Sequence, residues 1–98
     1  MDINRLFNID GKTALITGGS RGIGEMIAAG FLANGVKVYI TARKEAPLIE
    51  KAKELSEKFN GECIAIPCDL SNMEGIQKLA SDYLNHEDSL DILVNNAG

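Results

Sequence analysis

The stretch that decides the fold is Thr17-Gly18-Gly19-Ser20-Arg21-Gly22-Ile23-Gly24. It follows a short apolar run, residues 12–17 (KTALIT), and opens a segment with helical spacing of apolar residues. Gly18 permits a turn that a side chain would obstruct. Gly22 allows backbone N–H groups at a helix N-terminus to approach a phosphate, and Gly24 removes a side chain where the helix meets the strand. A strand, a glycine-rich turn and a helix in this order are typical of a dinucleotide-binding site.

Two other interpretations apply to the same glycines. Three glycines between a strand and a helix also suit a tight turn that binds no ligand. A P-loop is the competing phosphate-binding motif, but it ends in Gly-Lys-Ser/Thr, whereas Gly24 is followed by Glu25 and Met26. The sequence therefore excludes a P-loop and leaves the plain turn as the alternative.

Short strand-like runs alternate with longer segments of helical period along the whole chain. Besides residues 12–17, strands are predicted at residues 36–42, 62–67 and 90–94. A first helix is predicted over about residues 22–34, with an apolar face formed by Ile23, Met26, Ile27, Gly30 and Phe31. Two more helices are marked by Leu48, Ala52, Leu55 and Phe59, and by Ile76, Leu79, Ala80 and Tyr83. Ser71 with Glu74 predicts a capping box at the start of the third helix.

This order, β-α-β-α-β-α-β, predicts an α/β fold. Strands separated by helices are joined by right-handed crossovers and form a parallel sheet. Winding outward and then back from the first strand gives the strand order 3-2-1-4. We therefore expect half of a doubly wound parallel-sheet Rossmann fold, truncated before a fifth strand.

Composition and charge restrict the function classes. The chain has 98 residues and a net charge of −4, which argues against nucleic acid or an anionic membrane as a partner. Cys63 and Cys68 are expected on opposite faces of one strand, as small buried residues rather than a disulfide or metal site. His86 has no second metal ligand near it in the sequence, so no metal is expected. No apolar run resembles a signal peptide or a membrane span, so a cytoplasmic location is expected.

Three motifs carry a family resemblance. Thr17–Gly24 reads T-G-x-x-x-G-x-G, Asp69-Leu70 follows the third predicted strand, and Asn95-Asn96-Ala97-Gly98 follows the fourth as N-N-A-G. Over its whole length the chain resembles the amino-terminal part of the short-chain dehydrogenase/reductase family. Within it, the sequence is similar to bacterial 3-oxoacyl-carrier-protein reductases and to rhamnolipid-type ketoacyl reductases. The resemblance implies that residues 1–98 belong to a single NAD(P)-binding Rossmann domain whose remainder is absent.

The resemblance also implies roles for individual residues. The residues expected to line the cofactor site are Gly18, Ser20, Gly22, Ile23, Gly24, Asp69, Leu70, Asn95, Ala97 and Gly98. Ile23 would contribute its backbone beside the pyrophosphate, and Asp69 would accept a hydrogen bond from the adenine amino group with Leu70 beside it. Asn95 would stand near the adenosine ribose and tie the central strands together. The alternatives are an acid ahead of a helix for Asp69, and ordinary turn chemistry for the asparagines.

Charge indicates which dinucleotide is bound. NAD-specific sites usually have an acid at the end of the second strand, about 20 residues beyond the glycines. Here Thr41-Ala42 is followed by Arg43-Lys44. Arg43 is expected to bind a 2′-phosphate, with Arg21 closing from the other side, so NADP is preferred over NAD. The alternative is that Arg43 and Lys44 form only a solvated helix start, although cations there oppose the helix dipole.

Catalytic residues are not found in these 98 residues. Family members carry Y-x-x-x-K on a later helix, but Tyr39 is followed at the fourth position by Arg43 and Tyr83 by Glu87. We therefore expect the NADP(H)-binding portion of an oxidoreductase that transfers a hydride between NADPH and a carbonyl/alcohol substrate, inactive by itself. A short non-catalytic nucleotide-binding or interaction module is the alternative. The full-length form is expected to be a homo-oligomer, a tetramer or dimer, and the bare fourth strand is expected to make the fragment associate.

Overall fold

The computed structural model describes residues 9–19 and 21–96 and confirms the predicted α/β architecture. Its elements in chain order are β1 (Thr13–Thr17), α1 (Gly22–Ala33), β2 (Lys37–Ala42), α2 (Glu45–Phe59), β3 (Cys63–Pro67), α3 (Met73–Leu84) and β4 (Ile92–Asn95). All strand pairs are parallel, and the strand order is β3-β2-β1-β4. The predicted strand order is therefore correct, and the predicted strand ends differ by at most two residues. None of the described helices is long and apolar enough to cross a membrane.

Helix α1 packs on one face of the sheet through small residues. It buries Gly24, Ala28 and Leu32 against the core. The apolar face predicted from the sequence is partly wrong, because three of its members are exposed: Ile23, Met26 and Gly30. The helix is apolar almost all round, so its spacing does not single out one face, and the small Gly24 and Ala28 let it approach the sheet most closely.

Helix α2 covers the same face beside α1. It buries Leu48, Ala52 and Leu55, as predicted from their spacing. Cys63 belongs to the core on this face, whereas Cys68 belongs to the core on the opposite face. Both thiols are free, which confirms their prediction as unbridged buried residues. Burial raises the pKa of the Cys63 thiol to about 12, so it stays protonated at neutral pH.

Helix α3 lies on the opposite face of the sheet and buries Leu79 and Tyr83. The predicted capping box at Ser71 is wrong, because the helix begins one residue later, after Asn72. The Asn72 side chain accepts a hydrogen bond from the Gly75 N–H at 2.7 Å. Ser71 belongs instead to the preceding turn, where its N–H donates to Asp69 Oδ1 at 2.9 Å.

The two edges of the sheet differ. β3 ends in Pro67, whose carbonyl oxygen accepts a hydrogen bond from Lys78 Nζ at 3.2 Å. Proline and lysine are residues that keep an edge strand unpaired. β4 has neither, and Leu93 at its centre is 61% exposed. Within the described part of the chain, β4 has a hydrogen-bonded neighbour only in β1.

Candidate functional site

A cleft opens at the carboxyl ends of the strands. It runs from the junction of β1 and β4, where the strand order changes direction, across the ends of β2 and β3. Its volume is about 730 Å³. Ligands of open α/β sheets bind at this kind of switch point. The lining residues come from the glycine turn and from the ends of β2, β3 and β4: Gly18, Arg21, Gly22, Thr41, Ala42, Arg43, Cys68, Asp69, Leu70, Ser71 and Asn96.

The glycine turn forms the floor of this cleft. Gly18 and Gly22 have φ angles of +72° and +63°, which side chains rarely adopt. No atom would touch a Cβ at Gly22, so the backbone at the start of α1 is open to a ligand. Gly24 lies beneath the turn, where a Cβ would collide with the Gly18 carbonyl and lie 2.6 Å from Asn96 Nδ2. The turn therefore needs glycine for its conformation and for close packing.

Thr17 connects the glycine turn to the end of β4. Its hydroxyl donates to Asn95 Oδ1 at 3.1 Å and accepts the N–H of Asn96 at 2.9 Å. These bonds join β1 to β4, but the two asparagines lie on different sides. Asn96 lines the cleft, whereas Asn95 lines a groove beside α3 on the other face of the sheet.

Two cations stand at the mouth of the cleft. Arg21 is the residue before α1 and has an extended backbone, and Arg43 follows the end of β2. Both side chains line the cleft and also a neighbouring recess of about 870 Å³. Lys51 in that recess is paired with Glu25 at 2.8 Å. Neither arginine forms a salt bridge within the described residues, so both charges are available to an anion.

Asp69, two residues after the end of β3, supplies an acceptor in the same cleft. Hydrogen bonds from Ser71, with a smaller contribution from the charge of Arg43, lower the pKa of the Asp69 carboxyl group. The side chain is therefore ionised at neutral pH and accepts hydrogen bonds. Among the described residues, no three His, Cys, Asp or Glu side chains are grouped so that they could hold a metal ion.

The structure brings together half of the residues predicted for the site. Those that line the cleft are Gly18, Arg21, Gly22, Arg43, Asp69 and Leu70. Ile23, Gly24 and Asn95 do not line it, and Ser20, Ala97 and Gly98 lie outside the described residues. The cleft is also lined by residues that were not predicted from the sequence: Thr41, Ala42, Cys68, Ser71 and Asn96. Alternation along a strand was the available signal for Asn96, because neighbouring residues point to opposite faces.

The sheet order, the glycine turn and the cleft together define an α/β domain of the dinucleotide-binding class. A family model described as short chain dehydrogenase matches residues 12–98. The chain therefore belongs to the short-chain dehydrogenase family, as its motifs predicted.

Curated relatives and solved structures agree with this membership. The chain is 49% identical over 92 residues to the rhamnolipids biosynthesis 3-oxoacyl-[acyl-carrier-protein] reductase of Pseudomonas aeruginosa, covering 94% of this chain and 35% of that protein. It is 34% identical to glucose 1-dehydrogenase 2 of Bacillus subtilis, over 93% of this chain and 35% of that one. The P. aeruginosa RhlG/NADP active-site complex superposes with a TM-score of 0.89 at 49% identity, covering 94% of this chain and 36% of that one.

L-sorbose reductase from Gluconobacter frateurii, solved with NADPH and L-sorbose, superposes with a TM-score of 0.88. It is 40% identical, over 93% of this chain and 35% of that one. The chain thus spans about a third of the length of the relatives that it matches.

Proposed function

We propose that the cleft binds NADP(H) and that the chain is the cofactor-binding part of an oxidoreductase acting on a carbonyl/alcohol pair. The observation that carries this proposal is the pair of arginines at the mouth of the glycine cleft. Arg21 and Arg43 line the same opening, neither is paired with a described carboxylate, and no acid stands at the end of β2. The NADP complexes of two similar structures support it.

The residues present fit a dinucleotide with a 2′-phosphate. Guanidinium groups bind phosphate through charge-assisted and often bidentate hydrogen bonds, so Arg43 and Arg21 would hold the 2′-phosphate. The backbone from Gly18 to Gly24 would hold the pyrophosphate at the start of α1. Asp69 would accept a hydrogen bond from the adenine amino group, with Leu70 beside the ring. The proposal also includes contacts to the cofactor from residues that do not line the cleft or lie outside the described part of the chain: Ser20, Ile23, Asn95, Ala97 and Gly98.

The bound cofactor supplies or accepts the hydride, and this chain binds and orients it. The described tyrosines are not placed to exchange a proton with a substrate in the cleft. Tyr39 and Tyr83 are buried, and their hydroxyl groups donate to Glu87 and to the Ser89 carbonyl. We therefore propose that residues 1–98 bind cofactor without turnover, and that catalytic groups come from a further part of the domain. The similarity to the P. aeruginosa reductase favours a 3-oxoacyl thioester as substrate.

The cofactor assignment is tested by Arg43→Ala. The dissociation constants of NADP⁺ and NAD⁺ are measured by titration for the wild type and for Arg43→Ala. A charge-assisted hydrogen bond contributes roughly 1.5–3 kcal/mol, which corresponds to a preference of about ten- to a hundredfold. Arg43→Ala should reduce that preference by weakening NADP⁺ binding alone, with Arg21 still in place. Lys53→Ala removes the same charge from the exposed side of α2 and should leave the ratio unchanged. An unchanged ratio in Arg43→Ala would refute the role of Arg43.

The catalytic part of the proposal is tested with a chimera. Residues 1–98 are joined to the remaining two thirds of the P. aeruginosa 3-oxoacyl reductase. The chimera should oxidise NADPH in the presence of a 3-oxoacyl thioester, whereas the 98-residue chain should not. A folded chimera that binds NADP⁺ and reduces no 3-oxoacyl thioester would contradict this assignment.

A further inference from the structure

A polar cluster lies at the amino ends of the strands, at the end of the sheet opposite the cleft. It joins the connection between α3 and β4, residues 85–91, to the first residues of β1 and β2. We call this cluster the latch; its members are Thr13, Lys37, Tyr39, Tyr83, Glu87, Ser89 and Asp91. Its contacts span up to 78 positions in the sequence, and none of them belongs to the site described above.

Glu87 is the centre of the first half of the latch. One of its carboxylate oxygens accepts a hydrogen bond from the Tyr39 hydroxyl and lies 2.6 Å from Lys37 Nζ. The Glu87 side chain is only 17% exposed. Glu62 is the second acid near Lys37; its carboxylate lies 3.6 Å from Lys37 Nζ, and its side chain is 72% exposed. Lys37 and Tyr39 lower the pKa of Glu87, so it remains charged at neutral pH. The shielded pair with Glu87 is therefore the stronger of the two contacts.

The second half of the latch holds the start of β1. Tyr83 donates its hydroxyl hydrogen to the Ser89 carbonyl oxygen, and its ring packs edge-on against Tyr39 with centroids 4.9 Å apart. The backbone N–H of Thr13 donates to Asp91 Oδ2 at 2.9 Å. Asp91 immediately precedes β4, and Thr13 is the first residue of β1. The connection is thus fastened next to the point where β4 begins.

The position of β4 matters because of what lies at its far end. The strand has four residues, pairs with β1 from Ala14 to Thr17, and has no second hydrogen-bonded neighbour among the described residues. A slip of one residue would turn its side chains to the opposite faces. Asn96 would then leave the cleft, where it now packs over the glycine turn.

We propose that the latch fixes the register of β4 on β1 and thereby holds Asn96 in the cofactor cleft. Glu87 is in this sense a positioning residue for the cofactor cleft, which lies at the opposite end of the strands. Its effect on cofactor affinity rests on the proposed function, whereas its effect on β4 does not.

The test compares Glu87→Gln and Tyr39→Phe with the matched control Glu62→Gln. Amide hydrogen exchange is measured by NMR on the 98-residue chain, for the amides of β4 and Asn96 and for those of the β2–β3 pair. Glu87→Gln keeps an acceptor oxygen but removes the charge that Lys37 and the Tyr39 hydroxyl contact. A hydrogen bond to a charged group corresponds to roughly tenfold or more in an equilibrium constant. We expect about tenfold faster exchange in β4 in Glu87→Gln and a smaller increase in Tyr39→Phe. Glu62→Gln should change neither region.

A purely structural role predicts a different pattern, in which exchange rises equally in β4 and in the β2–β3 pair; that result would overturn the proposal. Unchanged β4 exchange in both variants would overturn it as well. Should Glu87→Gln fail to fold, Tyr39→Phe decides the question, because it removes a single oxygen atom. NADP⁺ titration of the same variants is expected to show weaker binding in proportion to β4 exchange. Wild-type protein that binds no NADP⁺ would refute the proposed function and leave the exchange result to decide the latch.

Discussion

Replacement of Thr17 by valine should loosen the junction between the glycine turn and β4. Valine has nearly the shape of threonine, so the main change is the loss of the hydroxyl group. Thr17 is 6% exposed, and its hydroxyl both donates to Asn95 and accepts the N–H of Asn96 at 2.9 Å. An unsatisfied buried donor destabilises by about 1–3 kcal/mol. The Asn96 N–H, which would lose its acceptor, belongs to a residue that is only partly buried, so we expect about 1–2 kcal/mol. For a domain of this size that lowers Tm by roughly 4–16 °C.

Urea and thermal unfolding, followed by circular dichroism, measure this change. Thr17→Ser is the matched control, because it keeps the hydroxyl group and loses only the methyl group. It should recover most of the stability lost in Thr17→Val. A loss in Thr17→Ser reports only the missing methyl group, whereas Thr17→Val tests the two hydrogen bonds. A valine variant as stable as the wild type would show that these bonds contribute nothing.

Three further perturbations follow from the same structure. Gly24→Ala should destabilise the fold by about 1–3 kcal/mol and weaken NADP⁺ binding, because its Cβ meets the Gly18 carbonyl; unchanged unfolding and binding would contradict the close packing. Leu93→Lys should reduce self-association through the edge of β4, measured by light scattering; a wild-type chain that is already monomeric would argue against that association. Burial raises the pKa of Tyr39 from 10.0 to about 12, so its contribution to stability is present below pH 10 and lost as pH rises towards 12. The pKa of Lys37 is raised as well, so Lys37 also contributes stability that is lost at alkaline pH. Urea unfolding of Tyr39→Phe should therefore show a smaller loss of stability between about pH 10 and 12 than the wild type, because only the Lys37 contribution remains. An equally large loss in the variant would contradict this role of Tyr39.

The order of the strands was predictable because it follows from patterns among residues that are close in the sequence. Apolar runs, helical spacing and the glycine turn are each set by neighbouring residues, and the right-handed crossover rule then leaves few topologies. The same holds for α2, whose buried face follows from Leu48, Ala52 and Leu55. Half of the candidate site was predictable because strand ends in a parallel sheet meet at one edge, which brings Arg43 and Asp69 to the glycine turn.

The remaining features depend on contacts that local patterns do not contain. Helix α1 is apolar on almost all sides, so only packing decides that Ala28 is buried and Met26 exposed. The N-cap of α3 is Asn72 and not the predicted Ser71, because Ser71 belongs to the preceding turn, where its N–H donates to Asp69. The latch joins residues as far apart as Tyr39 and Glu87, whose pairing no spacing rule predicts. Long-range polar contacts of this kind appear only once the fold is known.

The central claim is that the cleft recognises the adenosine half of NADP through the arginines at its mouth. The most direct measurement is calorimetric titration of the 98-residue chain with adenosine 2′,5′-bisphosphate and with adenosine 5′-monophosphate. Both ligands lack the nicotinamide half, so they test only the part of the site that these residues form. We expect the bisphosphate to bind about ten- to a hundredfold more tightly, because Arg43 and Arg21 contact its 2′-phosphate. Equal affinities, or no binding of the bisphosphate, would contradict the account.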